Sequence, residues 1–242
     1  MFKNLIRNLG QKLIGFDRYL FIFSLLTVLR IRVFGYEKEF RYFNLMIKGD
    51  GAILDIGANI GIMTVMLAKR HPNATIYSFE PVPENARALE KVRKFFGLQN
   101  VQIIQTALGD VDEDAKMITP TISNAKMQGL SHIIEPSSEN GETGDVFPVQ
   151  VQKLDNITSL QQLEKISAIK IDVENFEYYV LKGGENMLRK HRPLVFCELW
   201  NNERRDLCFE LMKSMGYSIK IWQQGNLVDY NKQETLNYFF LP

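Results

Sequence analysis

A loop of glycines and polar residues follows the first predicted strand and has the spacing of a cofactor-binding turn. It reads D-x-G-x-N-x-G and is formed by Asp55, Gly57, Asn59 and Gly61. Glycines let the backbone turn tightly and approach a ligand closely, and the N-terminus of a predicted helix comes directly after them. A dinucleotide site would carry G-x-G-x-x-G instead. The acid at the start of this loop favours a ligand with an ammonium or sulfonium group over a pyrophosphate.

A second acid stands after the next predicted strand. Glu80 lies 25 residues beyond Asp55, at the place where an acidic side chain can accept hydrogen bonds from both hydroxyls of a ribose. Taken alone, Asp55 could be a turn or helix-cap carboxylate and Glu80 a solvated charge at a strand end. Because both acids follow successive strands, the pair favours a site for a ligand that contains ribose.

A charged motif ends a later predicted strand, at residues 168–172. Lys170 and Asp172 are two positions apart, so their side chains point to the same face of that strand. A lysine between isoleucines in a central strand needs a partner, because burying an unpaired charge is costly. Asp172, Glu174 and Asp155 are the candidate partners. A buried ion pair without a chemical role is the alternative interpretation.

From about residue 50 the apolar pattern alternates between strands and helices, which predicts an α/β, doubly wound, mostly parallel sheet. In such sheets ligands bind outside the carboxyl ends of the strands, where the residues above are found. Residues 109–166 interrupt the alternation. They predict a polar insertion or hairpin over one sheet edge, with only short strands and with Asp155 capping a helix that runs to about residue 163. The predicted strands are residues 52–56, 74–79, 101–105, 168–172, 194–198, 217–222 and 236–241, and the predicted helices are residues 60–70, 84–96, 178–190 and 204–215.

The first 45 residues differ in character from the rest and predict a helical extension before a domain at residues 46–242. Residues 1–42 carry eight basic and three acidic side chains, a net charge of +5, around an apolar run at residues 19–29. That run is too short to span a bilayer, which takes about 20 residues, and no small-residue cleavage site follows it. Two interpretations stay open: a helical lid or homodimerisation element, and a basic segment at the inner, anionic face of a membrane.

The composition of the whole chain excludes several classes of protein. Its 29 basic and 28 acidic side chains give a net charge of +1 over 242 residues, so no overall field favours nucleic acid. Cys197 and Cys208 are too few for a disulfide framework and lack metal-ligand spacing, which favours the cytoplasm. We expect no metal site, with a divalent ion held by Asp172 and Glu174 as the alternative.

Further motifs are spread over the chain between residue 50 and the C-terminus. They are Phe79-Glu80-Pro81 with Asn85, Ala107-Leu108-Gly109-Asp110, the segment I-K-I-D-V-E at 169–174, Glu177, V-L-K-G at 180–183 and P-L-V-F-C-E at 193–198. Together with the glycine loop, they resemble an S-adenosylmethionine-dependent methyltransferase, and the segments after residue 168 resemble the FkbM family specifically. Asn175 departs from the pattern, because the family usually has glycine there. Asparagine tolerates a left-handed backbone, so we expect the turn to persist.

The resemblance implies a Rossmann-like fold of the class I methyltransferase type, with a seven-stranded sheet and S-adenosylmethionine as cofactor. Asp55 would hold the methionine amine and Glu80 the ribose hydroxyls, while Gly57 and Gly61 would line the methionine part. The remaining cofactor-binding positions would be Asn59 in the glycine loop, and Pro81, Asn85 and the backbone of Ala107 beside the ribose and adenine.

Methyl transfer to a hydroxyl needs a group that accepts the proton as the new bond forms. The resemblance places Asp172 and Glu174 opposite the sulfonium methyl, so either could be this base, with Lys170 beside them. Glu198 would reach the acceptor from the other side of the cleft, and Glu177 would lie near it. We therefore expect O-methylation of a sugar, a glycan or a polyketide-like small molecule. A cofactor-binding membrane or scaffold protein without turnover, and an NAD-type oxidoreductase, are the competing hypotheses.

Overall fold

A computed structural model describes residues 2–134 and 143–242 of the chain, with side chains from residue 7 onward. Two short 3-10 helices, at Gln128–Leu130 and Leu154–Asn156, accompany the regular elements. The α-helices are α1 (Phe2–Ile14), α2 (Phe16–Phe34), α3 (Lys38–Met46), α4 (Ile62–Arg70), α5 (Pro83–Phe95), α6 (Thr158–Gln161), α7 (Glu177–Gly183), α8 (Glu185–His191) and α9 (Glu203–Ser214). The strands are β1 (Ala52–Ile56), β2 (Ile76–Phe79), β3 (Val101–Ile104), β4 (Ala107–Gly109), β5 (Glu113–Ile122), β6 (Ala125–Lys126), β7 (His132–Ile133), β8 (Gly144–Lys153), β9 (Ile166–Ile171), β10 (Leu194–Glu198), β11 (Ser218–Gln223), β12 (Asn226–Asp229) and β13 (Asn237–Leu241).

The main sheet has eight strands in the order β12-β11-β13-β10-β9-β1-β2-β3. The five strands from β10 to β3 are parallel, and β13, β11 and β12 join them in antiparallel pairs. The α/β doubly wound fold is thus confirmed, but the expected number of seven strands is wrong. The eighth strand, β12, folds back from β11 because Gln224 and Gly225 both have positive φ, at 49° and 90°, as a tight hairpin turn requires.

The strand order reverses at β1, which has β2 on one side and β9 on the other. All five residues of β1 are buried, because the helices cover both faces of the parallel strands. The register pairs Asp55 with Lys170 and Ile56 with Ile171. The loops that follow β1 and β9 therefore leave the sheet side by side, at the crevice where open α/β sheets bind ligands.

A second, smaller sheet is formed by the region predicted as an insertion. Strands β5 and β8 pair antiparallel from Glu113–Val151 to Pro120–Gly144, and β4 pairs with β8 in parallel. The prediction of a hairpin in this region is confirmed, whereas that of only short strands is wrong, because β5 and β8 are ten residues long each. Most of the polar stretch expected around residues 135–145 lies outside the described residues.

Two helix predictions in the second half of the chain are corrected. Asp155 caps α8 rather than a helix running to residue 163: its carboxylate accepts hydrogen bonds from the backbone N–H groups of Asn186 and Met187, at 3.1 and 2.9 Å. The single helix expected at 178–190 is broken at Gly184. A side chain there would collide with Leu154, 2.7 Å from the added carbon, so a close approach of two segments explains the glycine.

The N-terminal helices pack directly on the main sheet and its helices. Helix α2 buries Leu20, Ser24, Val28 and Ile31, and aromatic residues of α3 join the core with residues of β10 and β13: Phe40, Phe43, Phe196 and Phe239. No single helix within residues 2–134 and 143–242 is long and apolar enough to cross a membrane. Helices α2 and α3 are long and apolar enough for a membrane span only when they are taken together, and they are bent by 80° relative to each other.

Candidate active site

The glycine loop after β1 is shaped by two positive φ angles and two close contacts. Gly57 has φ 75°, and a Cβ there would lie 1.8 Å from the carbonyl oxygen of Asp172. Gly61 has φ 84°, and a Cβ there would meet Leu89 at 2.4 Å. Only glycine fits either position. Gly57 lines a cavity, whereas Gly61 packs on Leu89 of helix α5 and is not among the residues that line this cavity.

A cavity lies between the ends of β1 and β2 and the second sheet, and we call it the Glu80 cavity. Glu80 Oε2 accepts a hydrogen bond from the backbone N–H of Asn59 at 2.7 Å. Its Oε1 accepts from the backbone N–H of Val82 at 3.0 Å and from the Asn85 amide at 3.2 Å. Burial nevertheless raises the pKa of Glu80 to about 7. The cavity is lined by Glu80, Asn59, Pro81, Asn85, Ala107 and Gln128, and by Asp172 and Glu174 on its other side.

Three buried amide oxygens in this cavity have no hydrogen-bond partner within the described part of the chain. They are Asn59 Oδ1, Asn85 Oδ1 and Gln128 Oε1. Buried polar atoms are rarely left unsatisfied, because each costs free energy. A ligand with several hydroxyl or amino donors would satisfy them, and the adenosine part of S-adenosylmethionine carries such donors. The cavity residues therefore fit this cofactor.

Gln128 is a cavity residue that the sequence analysis missed. It lies in the 3-10 helix Gln128–Leu130, inside the region interpreted as an insertion. No motif or periodicity marks it, and its role depends on the second sheet folding back over the main one. The signal that could have found it is weak: one amide side chain beside Gly129, in a stretch with little regular pattern.

Asp55 is completely buried below the glycine loop. Its Oδ2 accepts a hydrogen bond from Thr64 Oγ1 at 2.6 Å, and its Oδ1 lies 3.8 Å from Lys170 Nζ. Burial raises its pKa, against the opposing effect of the lysine. Because its carboxylate has no exposed surface, this arrangement differs from the direct contact with a methionine amine expected from the sequence.

Lys170 links the two strand ends on which the site is built. Its Nζ donates to the carbonyl oxygen of Gly57 at 3.1 Å and to Asp172 Oδ2 at 3.3 Å. Burial lowers the pKa of Lys170, but the nearby carboxylates of Asp172 and Asp55 more than offset this, so its pKa lies above the ordinary value. Of the three predicted partners, Asp172 pairs with Lys170, whereas Glu174 forms no ion pair with it within the described residues and Asp155 caps α8 instead. The partner that the sequence analysis missed is Asp55.

The turn after β9 is held by Glu177. Glu174 and Asn175 have left-handed backbones, with φ 52° and 72°. Glu177 Oε1 accepts hydrogen bonds from the backbone N–H groups of Val173 and Asn175, at 3.1 and 3.2 Å. Burial raises the pKa of Glu177 to about 7. Because this carboxylate is buried and bonded to the turn, Glu177 supports the turn rather than lying open to an acceptor.

The carboxylates at the ends of β9 and β10 repel one another. Burial, followed by repulsion from Asp172 and Glu198, raises the pKa of Glu174 to about 8. Burial and then Asp172 raise the pKa of Glu198 to about 7. Lys170 offsets only part of this negative charge. A cation placed among these groups, such as a sulfonium, would be stabilised by them.

Two further cavities adjoin the Glu80 cavity. The first, of about 550 Å³, we call the Trp200 cavity, and the second, of about 480 Å³, the α2 cavity. Glu174 lines both the Glu80 cavity and the Trp200 cavity, whereas Asp172 lines the Glu80 and α2 cavities. The Trp200 cavity is lined by Thr121, Ile122, Leu130, Glu174, Asn175 and Trp200, and the α2 cavity by Phe23, Thr27, Ile31, Met63, Lys170 and Asp172.

Comparison with known proteins yields a family and several relatives. Residues 55–220 match the model of the methyltransferase FkbM domain. The 2-O-methyltransferase NoeI of Sinorhizobium fredii is 30% identical over 172 residues, which cover 66% of this chain and 68% of NoeI. The AMB antimetabolite synthetase AmbE of Pseudomonas aeruginosa is 25% identical over 219 residues, or 76% of this chain. The chain spans only 10% of the length of AmbE.

A solved structure has the same fold. The FkbM methyltransferase of Methylobacillus flagellatus superimposes with a TM-score of 0.54 at 14% identity, over 91% of this chain and 54% of that one. The family match covers the glycine loop, Glu80 and the turn after β9, which are three of the segments that line the Glu80 cavity. The chain therefore belongs to the FkbM methyltransferase family, whose members take their methyl group from S-adenosylmethionine.

Proposed function

We propose that this protein transfers a methyl group from S-adenosylmethionine to a hydroxyl of a small molecule or glycan. The observation that carries the proposal is the position of Glu174, which lines both the Glu80 cavity and the Trp200 cavity. A base between a cofactor cavity and an acceptor cavity can take the proton of a hydroxyl that is being methylated. The name of NoeI, a 2-O-methyltransferase, agrees with transfer to oxygen.

The Glu80 cavity would hold the adenosine part of the cofactor. Glu80 would accept hydrogen bonds from the ribose hydroxyls through the lone pairs that its protein donors leave open. Asn85 and Gln128 supply the unpartnered amide oxygens, and Pro81 and the Ala107 backbone complete the wall. The positions of Glu80, Pro81, Asn85 and Ala107 support the binding roles expected for them from the sequence.

The glycine loop and Lys170 would position the methionine part. Gly57 and Asn59 line both the Glu80 and α2 cavities, so the cofactor can extend past them. Lys170 fixes the Gly57 carbonyl and the Asp172 carboxylate, and Asp55 acts indirectly by neutralising Lys170. Asp172, whose side chain is 39% exposed, would face the positive end of the cofactor.

When bound, S-adenosylmethionine supplies an electrophilic methyl group on a positively charged sulfur. The protein contributes alignment and a base. Glu174 would accept the proton of the acceptor hydroxyl as the oxygen bonds to the methyl carbon and the carbon–sulfur bond breaks, with its electron pair left on sulfur. A pKa of about 8 makes Glu174 a stronger base than an ordinary carboxylate once it is ionised. Glu198 lies near enough to raise that pKa and would border the acceptor.

The acceptor would bind in the Trp200 cavity. Trp200 is 47% exposed, so its ring offers an apolar face, and Thr121 and Asn175 add polar groups. A flat aromatic face beside hydrogen-bonding groups suits a ring that carries hydroxyls, as a sugar or a polyketide-derived ring does. Asp172, which lines the α2 cavity instead, is the alternative base if the acceptor enters there.

The test is methyl transfer from labelled S-adenosylmethionine to a panel of glycosides and cyclic alcohols, measured from pH 6 to 9.5. We expect kcat/KM to rise with pH up to about 8, because the base must be ionised. Glu174→Gln should lower kcat about 10²-fold or more and remove this dependence, while Glu210→Gln, an exposed change on α9, should have no effect.

Other outcomes separate the alternatives. If Asp172→Asn abolishes turnover while Glu174→Gln keeps the wild-type pH profile, Asp172 is the base. Cofactor binding without methylation of any acceptor, in wild type and variants alike, would favour a binding protein without turnover.

The basic N-terminal segment, residues 1–42, is also proposed to contact a partner outside the chain, a membrane surface or a second copy, because its helices expose many apolar side chains.

A further inference from the structure

Helix α2 leaves a line of apolar side chains uncovered. Ile22, Leu26, Leu29 and Val33 are between 44% and 64% exposed. Their spacing of four, three and four residues places them on one face of the helix. The opposite face is the one that packs on the protein. We call these four residues the α2 stripe.

The uncovered apolar surface continues beyond the stripe. Phe34 at the end of α2 is 68% exposed, and Tyr36 in the following loop is 51% exposed. On the neighbouring helix α5, Phe95 is 62% exposed, and its ring contacts Phe21 of α2 edge-to-face. Single exposed apolar residues are ordinary, but a contiguous group of this kind marks an interaction surface.

Arginines border the α2 stripe on both sides. At 100° per residue, Arg18 and Arg32 fall on one side of the stripe and Arg30 on the other, and all three are exposed. Residues 1–42 carry eight basic and three acidic side chains, a net charge of +5. One of those acids, Asp17, is already paired with Arg87 of α5. The borders of the stripe therefore carry positive charge.

We propose that α2 docks on an anionic lipid bilayer, lying in the plane of the interface with the α2 stripe among the acyl chains. An apolar face with arginines at its borders is the arrangement that binds this way, because the guanidinium groups stay at the level of the lipid phosphates. A second copy fits less well. A symmetric pair through the same stripe would bring the positive borders of the two helices together, which opposes association.

This surface is separate from the methyl-transfer residues, although the other side of α2 lines the α2 cavity through Phe23, Thr27 and Ile31. A bilayer would be the outside partner already proposed for residues 1–42, and only in this respect does the docking rest on the proposed function. Its failure can be distinguished from a failure of methyl transfer, because vesicle binding and cofactor binding are measured independently on the same variants.

The test is co-sedimentation of the full chain with two kinds of vesicle. One kind is pure phosphatidylcholine, and in the other one quarter of the lipid is phosphatidylglycerol. We expect binding to the anionic vesicles only, weakened as salt is raised. Leu26→Glu with Leu29→Glu should weaken partitioning at least tenfold, and so should Arg30→Glu with Arg32→Glu. The matched control, Leu207→Glu with Leu236→Glu, changes leucines that are 41% and 46% exposed elsewhere and should bind as wild type does.

All variants are first checked for folding by circular dichroism and for unchanged affinity for S-adenosylhomocysteine. Absence of wild-type binding to anionic vesicles, or an equal loss in the control, would overturn the proposal. So would sedimentation equilibrium showing a dimer that dissociates in the Leu26→Glu, Leu29→Glu variant without any vesicle binding, because the stripe would then be the interface between two copies.

Discussion

The side-chain amide of Asn202 donates a hydrogen bond to Oδ1 of Asn175 at 2.7 Å, which joins the turn after β9 to the loop after β10. Asn202 also caps α9, since its Oδ1 accepts from the backbone N–H groups of Arg204 and Arg205. Asn175 stands where the resemblance to the family leads us to expect glycine. In this chain the asparagine adopts the left-handed backbone that the glycine would supply, and its side chain ties together two sides of the site.

Substitutions at Asn175 should separate these two roles. Asn175→Gly removes the link to Asn202 but relieves the left-handed backbone, so we expect little loss of stability. Asn175→Ala also removes the link, and it puts alanine, which tolerates a left-handed backbone poorly, at φ 72°. We expect the free energy of unfolding to fall by about 2 kcal/mol. Urea unfolding of the two variants measures the difference. Equal stability of both would contradict this account of the turn.

The ion pair between Lys170 and Asp55 gives a second prediction. Lys170→Met leaves the fully buried carboxylate of Asp55 without its counter-charge, so we expect the free energy of unfolding to fall by about 3–5 kcal/mol. The double variant Lys170→Met, Asp55→Asn removes both charges and should recover much of that loss. Denaturant unfolding of the single and double variants tests this. A single variant as stable as wild type would show that the ion pair between Lys170 and Asp55 does not stabilise the fold.

Stability should also depend on pH in a definite direction. The pKa values of Glu174 and Glu198 are raised by burial and by neighbouring carboxylates, to about 8 and about 7. The folded protein therefore holds protons that the unfolded chain has already released above about pH 4.5. The protein without cofactor should lose stability as pH rises from 6.5 to 8.5, with a fall in Tm of about 2–4 °C for each kcal/mol lost.

The predicted loss of stability is measured only above pH 6.5 because two histidines affect stability below that pH. Burial lowers the pKa values of His71 and His191, so their effect on stability has the opposite sign and acts below about pH 6.5. Glu174→Gln should flatten the decline above this pH, while Glu210→Gln should leave it unchanged. A Tm that is constant or rises between pH 6.5 and 8.5 would rule out the raised pKa values.

Binding of the cofactor should release protons from the same carboxylates. A sulfonium beside Asp172 and Glu174 lowers the pKa of Glu174, so S-adenosylmethionine should release more protons at pH 7.5 than S-adenosylhomocysteine, which lacks that charge. Calorimetry in phosphate and in Tris, which differ in ionisation enthalpy, measures the number released. Equal proton release with the two ligands would place the sulfonium away from Glu174.

The sequence predicted the elements whose residues have a local signal. The parallel strands and their helices follow from apolar periodicity, and Glu80 and the glycine loop follow from motifs at strand ends. Strand β12 was missed because its four residues carry little apolar pattern, and its hairpin depends on the turn at Gln224 and Gly225. Only short strands were expected between residues 109 and 166, and the ten-residue length of β5 and β8 was missed because apolar and polar residues alternate only in part and many positions of both strands are exposed.

Partners that depend on tertiary packing were harder to predict. The pairing of Asp55 with Lys170 follows from the parallel register of β1 and β9, and one strand alone does not specify that register. Gln128 enters the site only because the second sheet folds over the first. Asp155 was recognised as a capping residue, but it caps a helix about 30 residues later in the chain, which no local pattern indicates.

Whether the Glu80 cavity binds the methyl donor is measured by calorimetric titration with S-adenosylhomocysteine, with NAD titrated in parallel. We expect micromolar binding of the first ligand and none of the second. Glu80→Ala should weaken binding at least tenfold, a loss of about 1.4 kcal/mol, while the matched variant Glu84→Ala at the start of α5 should bind as wild type does. Absence of binding to the folded wild-type protein, or equal affinity in Glu80→Ala, would show that the methyl donor does not bind at Glu80.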